Sequence, residues 1–215
     1  ELWRRGAARQ PDIGIRMVER FPEGQMHVLA HLALRSATVA GAIRDVCRYA
    51  SVTSPADRLA FDMQDGIVSF HYACPPSAGC NPWMAEHYLS MATVFLSRAL
   101  QRTLPLSRVA FVGARQAPRE TYVQRFGIAP EFGAARNALS FPAEVLDWPL
   151  QTHDAYLHAV LERVARLRQV PVTDPVLDDT RRDVARALLT GASPTIEAVA
   201  AEAGPGKTIA VVGDG

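Results

Sequence analysis

This chain reads as an α+β protein: a small, mainly antiparallel sheet packed with helices, then a linker and the beginning of an all-α region. Three features carry that reading. Asp65-Gly66 stands between two runs of alternating apolar residues, the pattern of a β-hairpin closed by a tight turn. Helical and strand patterns follow one another irregularly, without the steady βαβ alternation of a doubly wound sheet. The strand patterns are short, and none is followed by a glycine loop fit to hold phosphate.

The first helices lie before the hairpin. Residues 12–20, after Pro11, form a short helix with Ile13, Met17 and Val18 turned inward. Gly24 opens a second, in which Met26, Leu29, Ala30, Ala33 and Leu34 recur at helical spacing. Ser36 caps a third, where Val39, Ala42, Ile43, Val46 and Cys47 follow the stripe of a buried face.

In the hairpin, Leu59, Phe61 and Met63 share one face of the first strand, and Val68, Phe70 and Tyr72 one face of the second. Pro75, Pro76 and Gly79 mark a loop. Asn81 then caps a long helix with Pro82 in its first turn, and Met84, Tyr88, Met91, Phe95 and Ala99 line one side. A third strand spans 108–112, and a short helix around 122–126 ends at Gly127. Brief strands near 128–132 and 138–141 precede helices near 143–148 and 153–168. Residues 1–169 thus form one domain, and residues 170–179, with Pro171 and Pro175, form the linker.

Residues 180–204 read as one helix, a break at Gly191-Ala192, and a second helix capped by Ser193 with Pro194 at its first position. Ile196, Val199 and Ala200 supply the second helix's apolar face, and Gly204 ends it. This is the beginning of a helix-turn-helix DNA-binding domain. The next helix would enter the major groove. The sequence there is PGKTIAVVGDG, glycine-rich and unsuited to reading bases. The expectation is an incomplete domain, with residues 205–215 as a tail. Lys207 in that tail is the lone lysine of the chain, which points to a non-native segment.

Composition narrows the function. Apolar residues make up 48% and charged residues 21%, ordinary values for a soluble globular domain. No apolar run approaches the ~18 residues of a membrane span, and no signal peptide is visible. Three cysteines, Cys47, Cys74 and Cys80, at irregular spacing argue against a secreted disulfide framework and for a reducing cytoplasm. A net charge of +1 is too balanced for an electrostatic nucleic-acid binder.

Catalytic and metal chemistry are poorly provided for. There is no G-x-S-x-G elbow, no H-E-x-x-H, and no lysine in the body of the chain for a Schiff base. Asp57, Asp62 and Asp65 are explained by turn chemistry around the hairpin. His71, Cys74, Cys80 and His87 lack the paired spacing of a metal site, as do His27 and His31. Gly206-Lys207-Thr208 ends like a P-loop, but Ala201 stands where its first glycine is needed. No catalytic residue, metal or cofactor is expected. The positive signal is a mixture of apolar walls and polar tips suited to a small-molecule pocket: Phe61, Phe70, His71, Tyr72, Trp83, His87 and Tyr88.

Several stretches, in order, resemble the AraC-type transcriptional regulators, and more narrowly those with an arabinose-binding-type N-terminal domain. They are DIGIRMVER, GQMHVLAHLALRSATVAGAIRDVCRYA, RVAFVGARQAPRETYVQRFGIAPEFGAARNALSFPAEVLDWPL and RRDVARALLTGASPTIEAVAAEAG. The resemblance implies an effector-sensing, dimerising domain that controls DNA binding through a C-terminal helix-turn-helix region. It implies a small cytoplasmic effector, a homodimer and no membrane. In the family a Ser-x-Arg-Thr-Leu-type recognition helix follows the position of Gly204, where Pro205-Gly206-Lys207-Thr208 stands here.

The alternative is an effector-independent dimerisation module. Its seam would be either the Val39, Ala42, Ile43, Val46 stripe or the Tyr156, Val160, Val164 face of the last long helix. For a sensor, the loop from Cys74 to Pro82 and the helix after Asn81 are the expected coupling elements.

Overall fold

The hairpin at Asp65-Gly66 organises the sheet. In the computed structural model Asp65 and Gly66 both have positive φ, 51° and 74°, the twist that closes a two-residue hairpin. The strands it joins are β1, Arg58–Gln64, and β2, Ile67–Ala73. Residues 2–20, 26–74 and 81–169 are described, all within the unit Glu1–Gln169. The expected linker, helix-turn-helix start and tail lie outside the described residues.

Three more strands complete the sheet: β3, Arg108–Phe111; β4, Glu131–Phe132; and β5, Asn137–Pro142. Their order is β1-β2-β5-β3-β4, antiparallel throughout except for the parallel β3–β4 pair at one edge. The protein is α+β with a mostly antiparallel sheet, as expected. Phe70 pairs with Leu139, and Val68 with Phe141, so one face carries large buried side chains. The other face is small and polar, with Ser69 and Ser140 hydrogen-bonded at 2.9 Å.

Seven α-helices surround the sheet among the described residues. They are α1, Leu2–Arg9; α2, Ile13–Arg16; α3, Val28–Leu34; α4, Val39–Tyr49; α5, Pro82–Leu100; α6, Arg119–Phe126; and α7, Ala155–Arg168. Their ends correct several expectations. Helix α3 starts at Val28 because the His27 ring accepts a hydrogen bond from the Leu29 amide at 3.3 Å. Thr38, rather than Ser36, caps α4 by accepting from the Gly41 amide. The Ser36 hydroxyl donates instead to Asp45 at 2.7 Å. Residues 143–148 form a 3₁₀ turn, Ala143–Asp147, in place of an α-helix. Strand β4 is reduced to two residues.

Helix α5 follows its sequence signals at the start: the Asn81 side chain accepts from the Met84 amide, with Pro82 as the first helical residue. It is the central helix, buried on two sides. Tyr88, Met91 and Phe95 face α3 and α4, whereas the wholly or almost wholly buried Glu86, Leu89 and Ser90 lie on a different stripe. A single inward face was expected; the mixed pattern arises because α2 and α6 cover the side that a surface helix would expose.

The main core lies between the large-residue face of the sheet and helices α4 and α5, with Val39, Ile43, Leu89, Leu139 and Phe141 among its members. A second apolar cluster joins Leu29 and Leu32 of α3 to Tyr49 of α4 and Ala165 of α7. The segment before α7 is stapled to the α3–α4 turn: Leu150 N–H donates to Ala37 O, Arg35 donates to Thr152 O, and Thr152 Oγ1 donates to Leu34 O. These bonds fix α7 against α3.

Candidate functional site

A cavity of about 370 Å³ opens between α3, α4, α5 and the large-residue face of the sheet. That is within the range of small-molecule pockets. Its existence follows from residue size. Ala30 and Ala33 of α3, Ala42 of α4 and Ala92 of α5 all turn toward the same space, and the facing side chains do not fill it. Leu29, Ile43, Phe70, Phe95 and Leu139 complete much of the apolar wall.

Polar atoms gather at one end. His87 and Tyr88 lie on α5, with ring centroids 6.1 Å apart, and Thr53 stands beside Tyr88. The Thr53 hydroxyl donates to the Ala50 carbonyl at 2.7 Å. Behind this end, Tyr72 and Tyr88 stack with ring centroids 4.4 Å apart. Both hydroxyls donate to Asp57, whose residue is 2% exposed: Tyr72 to Oδ1 at 2.9 Å and Tyr88 to Oδ2. Burial, reinforced by the Asp57 carboxylate, pushes both phenols well above their usual range, so they remain hydroxyls and donors. Burial also lowers the His87 imidazole to about 4, leaving it neutral at physiological pH.

Of the residues expected to form a pocket, Phe70, His87 and Tyr88 stand on the cavity wall. Tyr72 is one layer behind, against Tyr88. The other three lie elsewhere. Phe61 is 43% exposed on the edge strand β1, beyond the cover of the helices. His71, one residue from Phe70, points to the opposite face of the sheet and pairs with Asp62 at 2.8 Å. Trp83 is partly buried, and its carbonyl would lie 2.7 Å from a Cβ at Gly14 of α2.

The sequence reading missed Asp57 and most of the α3–α4 wall. Asp57 was absorbed into turn chemistry, although a carboxylate so close to two tyrosine-bearing elements was a usable signal. Ala30, Ala33 and Ala42 read in the sequence as packing positions, and Ala92 carries no signal there. Their clustering on three helices was the visible trace of a void, but it needs the tertiary arrangement to be interpreted.

A second buried carboxylate lies outside the cavity wall. Glu86 is 2% exposed and accepts a hydrogen bond from Tyr122, whose oxygen in turn accepts from the Gln116 and Ala117 amides. Burial raises the Glu86 carboxyl to about 7. Elsewhere, burial pushes the Cys47 thiol up to about 11, so it is no poised nucleophile. Cys74 is disulfide-bonded, which the odd cysteine count did not suggest. Among the described residues no group of three His, Cys, Asp or Glu converges to hold a metal ion. No helix among them is long and apolar enough to cross a membrane.

A mostly antiparallel sheet with an alanine-walled cavity beneath its helices has room for a small molecule. Residues 1–150 match the family described as the arabinose-binding domain of AraC transcription regulators, N-terminal. The chain belongs to that family, a sensing domain of transcription regulators and not an enzyme family. Among solved structures it is similar to the transcriptional regulator CdpR from Pseudomonas aeruginosa, at 19% identity and a TM-score of 0.59. The similarity covers 91% of this chain and 64% of that one, so this chain spans less than two thirds of the length of that regulator. No curated protein sequence matches significantly.

Proposed function

We propose that this domain senses a small cytoplasmic effector in the cavity under α3, α4 and α5, and that occupancy controls DNA binding by a C-terminal helix-turn-helix region. The single observation that carries the reading is the 370 Å³ void itself, walled by alanines where a purely structural core would be filled. Regulation of this kind needs a ligand that favours one of two arrangements, since equal affinity for both shifts nothing. The route to the DNA-binding region runs through α3, which lines the cavity and packs on α7, the last described helix. It replaces the loop before Pro82 as our candidate coupling element. The active form is taken to be a homodimer.

The test is stabilisation by ligand. A compound present at a hundredfold excess over its Kd adds about 2.7 kcal/mol to the folded state, a shift readily seen in thermal melting. Absence of any stabiliser across sugars, amino acids, fatty acids and neutral amphiphiles at millimolar concentration would overturn the reading.

A second reading has its own observation. Tyr156 and Leu167 are each 81% exposed on α7 and Val160 43%, an apolar stripe suited to a constitutive dimer seam. The alternative seam on α4 is excluded, because Val39, Ala42 and Ile43 are buried inside the protomer. Light scattering of Val160→Glu decides: conversion of a dimer to monomer supports the seam, and an unchanged mass removes it.

A further inference from the structure

We infer that strand β1 pairs with β1 of a second copy of this chain, antiparallel and centred on Ala60, so that two sheets join into one across a twofold axis. The inference gives the homodimer proposed above a surface, and it does not rest on what the cavity senses.

The edge itself is the first ground. β1 closes one side of the sheet, and its seven residues pair with β2 in unbroken register from Arg58 to Gln64. A proline, a bulge or a very short strand commonly keeps such an edge from recruiting another chain. β1 has none of these, whereas the opposite edge, β4, is only two residues long. All of β1 but Leu59 is exposed, including Phe61 at 43% and Met63 at 64%. Large apolar side chains in the open on an edge strand are what a partner strand would cover.

The turn decides which backbone groups β1 offers. In a two-residue hairpin the flanking residues, here Gln64 and Ile67, exchange both hydrogen bonds, and the pattern alternates from there. Ala60 and Asp62 therefore give their backbone groups to β2, and Leu59, Phe61 and Met63 aim theirs outward. A second β1 must match outward-aimed residues to outward-aimed residues, which leaves few registers.

Charge selects among them. Centred on Ala60, each Arg58 lies opposite Asp62 of the other copy, and each Leu59 opposite Phe61. Centred on Asp62, two carboxylates stand opposite one another. Centred on Phe61, Arg58 meets Gln64 and Asp62 meets Ala60. Of these, the Ala60 register alone pairs opposite charges, and the twofold axis makes it do so twice. Asp62 is accessible for this: its side chain is 58% exposed while it holds His71 and Arg136. Arg58 is exposed as well, its Nη1 donating to the Pro55 and Asp57 carbonyls. Within one copy Arg58 and Asp62 stand roughly 13 Å apart along the strand, too far to pair with each other. Leu59 also lines the cavity, so Phe61 of the second copy comes against a cavity residue.

The test is the dissociation constant of the full chain by sedimentation equilibrium. The parent is expected to be a dimer. Arg58→Glu and Asp62→Arg each set like charges opposite one another, and each is expected to raise the dissociation constant at least tenfold. The double variant is expected to restore it to within about threefold, a recovery that can arise only between copies. Phe61→Pro removes an outward-aimed amide and no bond to β2, and is expected to give a monomer with the parent's far-ultraviolet circular dichroism. Should that spectrum be lost, the charge exchange alone decides. Val160→Glu is expected to leave the dimer intact. A monomeric parent, a natively folded Phe61→Pro that still dimerises, or loss in both charge variants without recovery in the double overturns the β1 pairing. A dimer abolished by Val160→Glu overturns it too and moves the seam to α7. Sensing is judged separately, by ligand stabilisation.

Discussion

Leu29 stands on the cavity wall and belongs to the same apolar cluster as Ala165 of α7, the last described helix, so one cluster joins the cavity wall to α7. A ligand that presses on Leu29 presses on the packing of α7. This contact makes α3 more than a lid. Tyr49 of α4 reinforces it, its phenol donating to the Glu162 carboxylate of α7 at 3.0 Å.

Truncation at Leu29 tests the shared role. Leu29 is 5% exposed, and Leu29→Ala is expected to cost about 2–5 kcal/mol of unfolding free energy. Urea denaturation measures it. A loss under 1 kcal/mol would mean that the second cluster contributes little to holding α7.

Asp57 is expected to be among the most sensitive positions of the domain. Asp57→Ala strands the Tyr72 hydroxyl in a site 3% exposed, at about 1–3 kcal/mol, and the Tyr88 hydroxyl at the cavity edge adds to this. Tyr72→Phe removes one donor and leaves Asp57 its bond to Tyr88, so it should cost less. The double variant should cost less than the sum of the two, because the stranded hydroxyl is gone. Strict additivity in urea titrations would show that the Tyr72–Asp57 hydrogen bond contributes little.

The pH dependence should resolve into two opposed contributions. Glu86 is raised from its usual range to about 7 in the folded state, so the native protein holds a proton that the unfolded chain releases. Stability from this group therefore falls as pH rises from about 4.5 through about 7. His87 is lowered to about 4, so the unfolded chain binds the proton that the native state refuses. Stability from this group rises as pH rises from about 4 through about 6.5. Each is worth on the order of 3 kcal/mol, and across pH 5–6 they oppose one another. Glu86→Gln should expose the rising slope, and His87→Leu the falling one, in unfolding measurements between pH 4.5 and 7.5. Parallel slopes in both variants would contradict the assignment.

The elements written locally in the chain were legible before the structure. Asp65-Gly66 specifies its turn through backbone conformation, and Asn81-Pro82 specifies a helix start through capping, so both hold whatever the surroundings. The misplaced caps have a common cause. Ser36 and Thr38 are both competent caps in isolation, and Asp45 decides between them by taking the Ser36 hydroxyl. The pocket was legible only in part for the same reason. Phe70, His87 and Tyr88 were found because their residue types suit a pocket, whereas His71 was misplaced by one step of strand alternation. The alanine wall depends on three helices meeting, and no local pattern records that.

The most direct test of the coupling is hydrogen exchange of the full chain with and without a saturating stabiliser found in the thermal-melting panel. The account predicts slowed exchange in α3, Val28–Leu34, and in α7, Ala155–Arg168, with both effects lost in Ala92→Phe, whose larger side chain fills the cavity. Slowed exchange confined to α3 and α5, with α7 amides unchanged, would contradict a cavity that communicates through Leu29 with α7.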